Sequence, residues 1–237
     1  MKRFGLVLFS LLLATAAVAD ATIPKADIAG AKDTRLVGRF AGSMIVAYDI
    51  KDYDEIKLPL APLKPVADKN KRDAHNNTVF EPAQSKALEG RRTRLVYLLP
   101  DNVAPLQAVR NYQNEITGKG GKTLFECKAN ECGGDAGRSS EGGGGDQSVA
   151  MYLWPADNIK TKAFTNGNCA QTLRISDQRY AALELPASKA YVSVLAYSGK
   201  DDLYCKAFNN RTIVVVDVLE QKAMEQKMVT VKAEEMA

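Results

Sequence analysis

The sequence predicts an α+β domain, a mixed β-sheet carrying one main helix and stapled by two disulfides. Three observations carry that prediction. Period-2 patterns run from Met44 to Ile50, apolar on one face and nearly so on the other, and again from Lys189 to Tyr197, one well-punctuated helix follows Pro105, and a valine-rich run lies near the C-terminus.

The elements follow in order. Lys2 and Arg3 precede an apolar run from Phe4 to Val18, and Ala17-Val18-Ala19 is a small-residue cleavage site, so residues 1–19 read as a signal peptide cleaved after Ala19. Residues 20–41 are a polar, Ala-rich lead-in. Met44, Val46, Tyr48 and Ile50 then alternate with Ile45, Ala47 and Asp49, the period-2 pattern of a strand. Tyr53 to Leu58 reads as a second, shorter strand, which Pro59, Pro62 and Pro65 end. Asp68 to Asn77 is a charged loop, and Arg92 to Leu99 is the next strand.

Pro105 suits the first turn of a helix whose Val109, Tyr112 and Ile116 share one face, with Gly118 and Gly120 at its C-terminal end. Lys122 to Cys127 reads as a strand, completing a β-helix-β unit of about the length a crossover needs. Residues 133–147 hold Gly133-Gly134, Gly137 and Gly142 to Gly145, the composition of a flexible loop. Val149 to Trp154, Arg179 to Leu185, Lys189 to Tyr197 and Thr212 to Glu220 read as strands. In the last, Val214, Val216 and Val218 share an apolar face with Asp217 opposite. The domain is expected to span 42–220, with 221–237 a tail or linker.

Removing the first 19 residues leaves 218 of 237, enough for a sizeable core. The formal charge of +4 loses Lys2 and Arg3 with that segment, leaving +2 on the mature chain. Lys and Arg are interspersed with Asp and Glu, and the nearest approach to a cluster is Arg91, Arg92 and Arg94, so a nucleic-acid partner is not expected. No further apolar run reaches the roughly 20 residues of a membrane helix.

Four cysteines, Cys127, Cys132, Cys169 and Cys205, in an exported chain imply two disulfides with three possible connectivities. Cys127–Cys132 with Cys169–Cys205 is favoured, because the first pair is close enough in sequence to close a tight loop. On the chain-entropy model the short bridge contributes roughly 2 kcal/mol and the long one roughly 4 kcal/mol. The competing reading, zinc, prefers paired short spacings and usually histidine. Cys169 and Cys205 lie far apart, and the chain's one histidine is His75.

Other motifs fail on their own requirements. Gly121-Lys122-Thr123 resembles the end of a phosphate-binding loop, but it runs helix to strand and Ile116 stands where that loop needs glycine. No G-x-S-x-G elbow is present. Asp52, Asp54 and Glu55 crowd one turn and Asp201 and Asp202 another, as acids do in ordinary turns. Tyr48, Tyr97, Tyr112, Tyr191, Tyr197 and Trp154 fit core packing. No catalytic, cofactor-binding or metal-ligating residue is assigned, and the chain is not expected to be an enzyme.

Gly42-Ser43, Ile45-Val46, Tyr48, Asp54-Glu55, Leu58-Pro59-Leu60, Leu88-Glu89-Gly90-Arg91, Thr93-Arg94, Arg110-Asn111-Tyr112, Phe125 to Cys127, Cys132-Gly133-Gly134, Val216-Asp217-Val218 and Met228 to Val231 together resemble an uncharacterised Gram-negative envelope domain. That domain often precedes an OmpA-like peptidoglycan-binding domain. The resemblance spans Ser43 to Val231. It implies a periplasmic or outer-membrane-associated structural or interaction module whose partner is an envelope protein or cell-wall component. Because the sequence stops at Ala237, the wall-binding residues of the second domain have no counterpart here. A single-domain relative, or a longer chain cut at its linker, is expected. The alternative from another class is a periplasmic small-ligand binding or sensor domain.

Overall fold

A computed structural model describes residues 22–139, 143–155 and 166–228. The expected signal peptide and the end of the tail lie outside them. The α+β class, the single main helix and both disulfides are as expected from the sequence.

Eight strands form among the described residues, β1 (Met44–Pro59), β2 (Leu63–Pro65), β3 (Phe80–Pro82), β4 (Ser85–Leu98), β5 (Lys122–Lys128), β6 (Ile175–Leu185), β7 (Ala190–Gly199) and β8 (Thr212–Gln221). The main helix is α1 (Pro105–Gly118), and α2 (Val149–Leu153) and α3 (Asn166–Ala170) are single turns. Six strands make one sheet in the order β1-β4-β8-β7-β6-β5, and every neighbouring pair in it is antiparallel, so the sheet expected to be mixed is antiparallel throughout. β4 and β5 run in the same direction, as the β-helix-β reading requires, but β8, β7 and β6 lie between them. The helix therefore spans the sheet rather than linking neighbours, because later strands fill the space between its two ends.

The central strands are buried on both faces. On one face Leu95, Ala181, Leu183, Val192, Val194, Val214, Val216 and Val218 meet Val109, Tyr112 and Ile116 of α1. On the other, Val96, Leu98, Tyr180, Leu195, Tyr197, Val215 and Leu219 meet Leu63 of β2, Phe80 of β3, and Trp154 and Phe208 from the connecting segments. This two-sided burial explains why β7 and β8 read as nearly continuous apolar runs.

Several local readings change. β1 is one strand where two were expected, since a bulge between Lys51 and Asp54 absorbs the irregularity that looked like a break. Val149 to Trp154, expected as a strand, is the helical turn α2. Ser148 caps it, its hydroxyl accepting from the Met151 N–H at 3.0 Å, and an apolar run this short carries no decisive period. Asn166 to Asn168 begin α3, which brings Cys169 into the core.

The described part of the Gly-rich stretch is pinned to the rest of the fold. Gly133, at φ +80°, lies so close to β2 that a Cβ would stand 2.1 Å from the Leu63 carbonyl oxygen, and Arg138 donates to Asn77 Oδ1 at 2.9 Å. The lead-in also joins the fold. Val37 is buried in the helix-side core, and Arg39 reaches Asp27 at 2.8 Å and Asp33 at 2.6 Å while the Tyr97 hydroxyl donates to Asp33.

Both disulfides take the favoured pairing and use all four cysteines. Cys127–Cys132 links the end of β5 to the 3-10 turn that follows it, and Cys169–Cys205 links α3 to the β7–β8 connection. With every thiol spent, the zinc reading has no cysteine ligands left. No helix among the described residues is long and apolar enough to cross a membrane.

Candidate functional site

The distal half of the β1–β4 hairpin bends over the loop-side face of the sheet. Two contacts show the bend: the Tyr180 hydroxyl of β6 donates to the Pro59 carbonyl at 3.2 Å, and Lys86 Nζ donates to the Tyr191 hydroxyl of β7 at 2.7 Å. Leu58 and Leu88 close the core beneath it. The bend has two sources in sequence. The bulge at Lys51–Asp54 kinks β1, and opposite it Gly90, at φ +154°, lets β4 pass β8 so closely that a Cβ would stand 2.1 Å from the Glu220 carbonyl oxygen.

A cleft of about 230 Å³ lies in the crook, walled by Asp54 to Leu58 of β1, floored by Arg92, Arg94, Ser193 and Asp217, and closed by Tyr152 and Leu153. Cross-strand register builds the floor. Asp49, Arg94, Asp217 and Ser193 stand opposite one another on β1, β4, β8 and β7, a polar row across an otherwise apolar face.

Arg94 grips Asp217 with two parallel bonds of 2.7 Å and donates a third to the Leu153 carbonyl at 2.7 Å. Arg92 bridges the bulge, bonding Asp49 at 2.5 Å before it and Asp54 at 2.7 Å after it, with Asp217 at 3.8 Å. The Asp217, Arg92 and Arg94 side chains are only 5, 11 and 12% exposed. Burial works against the Arg92 charge, but hydrogen bonds to Asp54 and Asp49 and the field of Asp217 outweigh it and raise its pKa. Burial also pushes the Tyr180 and Tyr152 hydroxyls above the ordinary tyrosine value, so both stay protonated.

Every buried charge here faces an opposite one, and no carboxylate on the floor stands without a guanidinium. Such a set fastens the bend and offers polar contacts to a bound group, with each buried charge committed to an opposite one. At the rim, Glu55 and Lys57 are exposed and make no ion pair among the described residues.

A larger groove of about 430 Å³ lies beside Cys127, between the start of α1 and β5. Its ion pair is a surface one: Arg110 and Glu126 pair at 2.8 Å and are about half exposed. Hydrogen bonds from Gln113 and Arg110 hold the Glu126 carboxyl below its ordinary value. The crook is the better candidate because its floor brings together Arg92, Arg94 and Asp217, charges that are largely shielded from water.

The structure sorts the residues singled out from sequence. Asp54, Arg92 and Arg94 come together in the crook, and so do Gly90 and Asp217. Asp52 stays on the exposed bulge, and Arg91 faces away from the floor. Asp202 serves its own turn, accepting from the Tyr204 and Cys205 N–H groups at 2.8 and 2.7 Å. His75 lies exposed in the 68–77 loop, where its N–H meets Asp73. Sequence reading missed Ser193 and Tyr152, and had no means to place Asp217 beside Arg94, because the register that joins them links positions 123 residues apart.

No protein-family model and no curated protein matches the chain.

Proposed function

We propose that this chain is a non-catalytic module of the bacterial cell envelope, working outside the cytoplasm by binding rather than by turnover. The observation that carries the reading is the use of all four cysteines in two disulfides, chemistry that belongs to an oxidising compartment. The leader at residues 1–19 supports a periplasmic location with cleavage after Ala19. The resemblance to the envelope domain that precedes OmpA-like domains supports a structural or interaction role, with an envelope protein or cell-wall component as partner.

The pairing of every carboxylate on the crook's floor supports binding over catalysis. A second reading, a small-ligand sensor, is favoured by the crook itself, a cleft of about 230 Å³ with both signs of charge.

One experiment tests the first reading. A photo-crosslinker replacing Lys57 on the rim is activated in intact cells. The reading expects a discrete envelope adduct that Arg92→Gln diminishes. Turnover of peptidoglycan or polysaccharide by the purified protein, abolished in Asp54→Asn, would overturn it.

A further inference from the structure

The connection between β7 and β8 buries Phe208 but presents two adjacent large side chains, Leu203 and Tyr204, to water. Leu203 is 77% and Tyr204 69% exposed, and Leu173, on the neighbouring segment, is 45% exposed. Isolated exposed apolar residues are ordinary, but an adjacent pair on a braced loop is not.

This loop is braced at many points. Cys205 is bonded to Cys169, and both are buried. Asp202 accepts from the Tyr204 and Cys205 N–H groups and from the Thr172 hydroxyl at 2.8 Å. Asn209 donates to the Asp202 carbonyl at 3.0 Å and accepts from its N–H at 2.9 Å. The Lys200 N–H reaches the Arg174 carbonyl at 2.9 Å, which lays residues 172–174 alongside residues 200–202. The exposed pair is therefore held out by a fixed frame, and a partner gains its apolar area without ordering the loop.

Charge identifies the partner. Arg174, Lys200 and Lys206 surround the pair, are exposed, and make no ion pair among the described residues. Against these three cations stand Asp201, which is exposed, and Asp202, whose carboxylate is committed to the loop's own donors. A leucine that can enter the acyl region, a tyrosine with an apolar body and polar tip, and flanking cations that reach phosphates match the boundary of an anionic bilayer.

We propose that the β7–β8 loop is a membrane-surface anchor that places Leu203 and Tyr204 at the acyl–headgroup boundary of anionic phospholipid, with Arg174, Lys200 and Lys206 on the phosphates. The inference names a partner for the envelope reading above and rests on it.

The test is vesicle co-sedimentation of the purified mature chain. Vesicles of phosphatidylcholine alone are compared with vesicles containing phosphatidylglycerol, at low and high salt. Binding is expected with phosphatidylglycerol and is expected to weaken with salt. The pair of substitutions Leu203→Ser and Tyr204→Ser is expected to lower it by roughly tenfold or more at an unchanged melting temperature. Lys200→Gln with Lys206→Gln is expected to lower it by roughly fivefold per charge removed.

Three results would overturn the proposal: no sedimentation of the wild-type chain with either vesicle, sedimentation of both double variants equal to that of the wild type, or a wild-type dimer that the Leu203/Tyr204 variant dissociates. None of these would touch the compartment assignment, which cell fractionation decides separately.

Discussion

Replacing Gly90 by alanine tests whether the bend over the crook is built as described. The added Cβ would stand 2.1 Å from the Glu220 carbonyl oxygen and 2.9 Å from the Gln221 Cα, both backbone atoms of β8 that no rotamer change can move. The position also sits at φ +154°, where an L side chain is strained. Backbone strain of this kind costs about 1–3 kcal/mol, and overpacking against an immovable neighbour costs about as much again. The sum, about 2–6 kcal/mol, would lower the urea midpoint by about 1–2 M at a slope of about 3 kcal/mol/M. Gly118→Ala is the internal control. Gly118 ends α1, and nothing lies within 4 Å of its Cβ, so that variant should gain about 0.5–1 kcal/mol. Equilibrium urea unfolding of both variants, followed by Trp154 fluorescence, gives the comparison. If Gly90→Ala unfolds within about 0.5 kcal/mol of the parent, β4 and β8 do not pass as closely as argued, and the crook loses its cause.

Cys169→Ser should cost more stability than Cys132→Ser by about 1.5–2 kcal/mol under oxidising conditions, because the first opens a bridge across 36 positions and the second a bridge across 5. Equal melting curves would contradict that order. Asp217→Asn should cost about 3–5 kcal/mol by leaving Arg94 buried without its anion, while Arg94→Met combined with Asp217→Leu should recover most of the loss; additive costs in urea unfolding would refute the coupling. Stability should also fall on acidification. Hydrogen bonding to Arg39 lowers the Asp27 pKa, and Tyr191 and Lys122 lower that of Glu184. Each carboxylate therefore stabilises the fold above its unfolded pKa near 4, and that contribution is lost as pH falls through the folded value. Melting temperatures that hold steady between about pH 5 and 3 would count against it.

Much of this fold was legible because its signals are local. The alternation in β7, the Pro105-to-Gly118 punctuation of α1 and the short Cys127–Cys132 spacing each report on neighbours in sequence, and each matches the structure. What was not legible depends on distant partners. The bulge at Lys51–Asp54 looked like a break because β4, which carries both halves of β1 as one strand, lies some forty positions away. The crook was hidden for the same reason. Asp54, Gly90, Arg94 and Asp217 were all visible as residues, but no spacing shows that β8 returns between β4 and β7 and brings Asp217 under Arg94. The lead-in had no period to read because Arg39, Asp27 and Asp33 hold it by ion pairs rather than by a repeating apolar face.

The central claim, an exported binding domain closed by two covalent bridges, is tested most directly by thiol labelling in living cells. Cells making the full chain are treated with a membrane-permeant maleimide, fractionated, and the protein is weighed intact before and after reduction. The account predicts a periplasmic chain beginning at Asp20 that takes up no label until reduction, then four. A chain that keeps its leader in the cytosol, or one whose cysteines label without reduction, would contradict it.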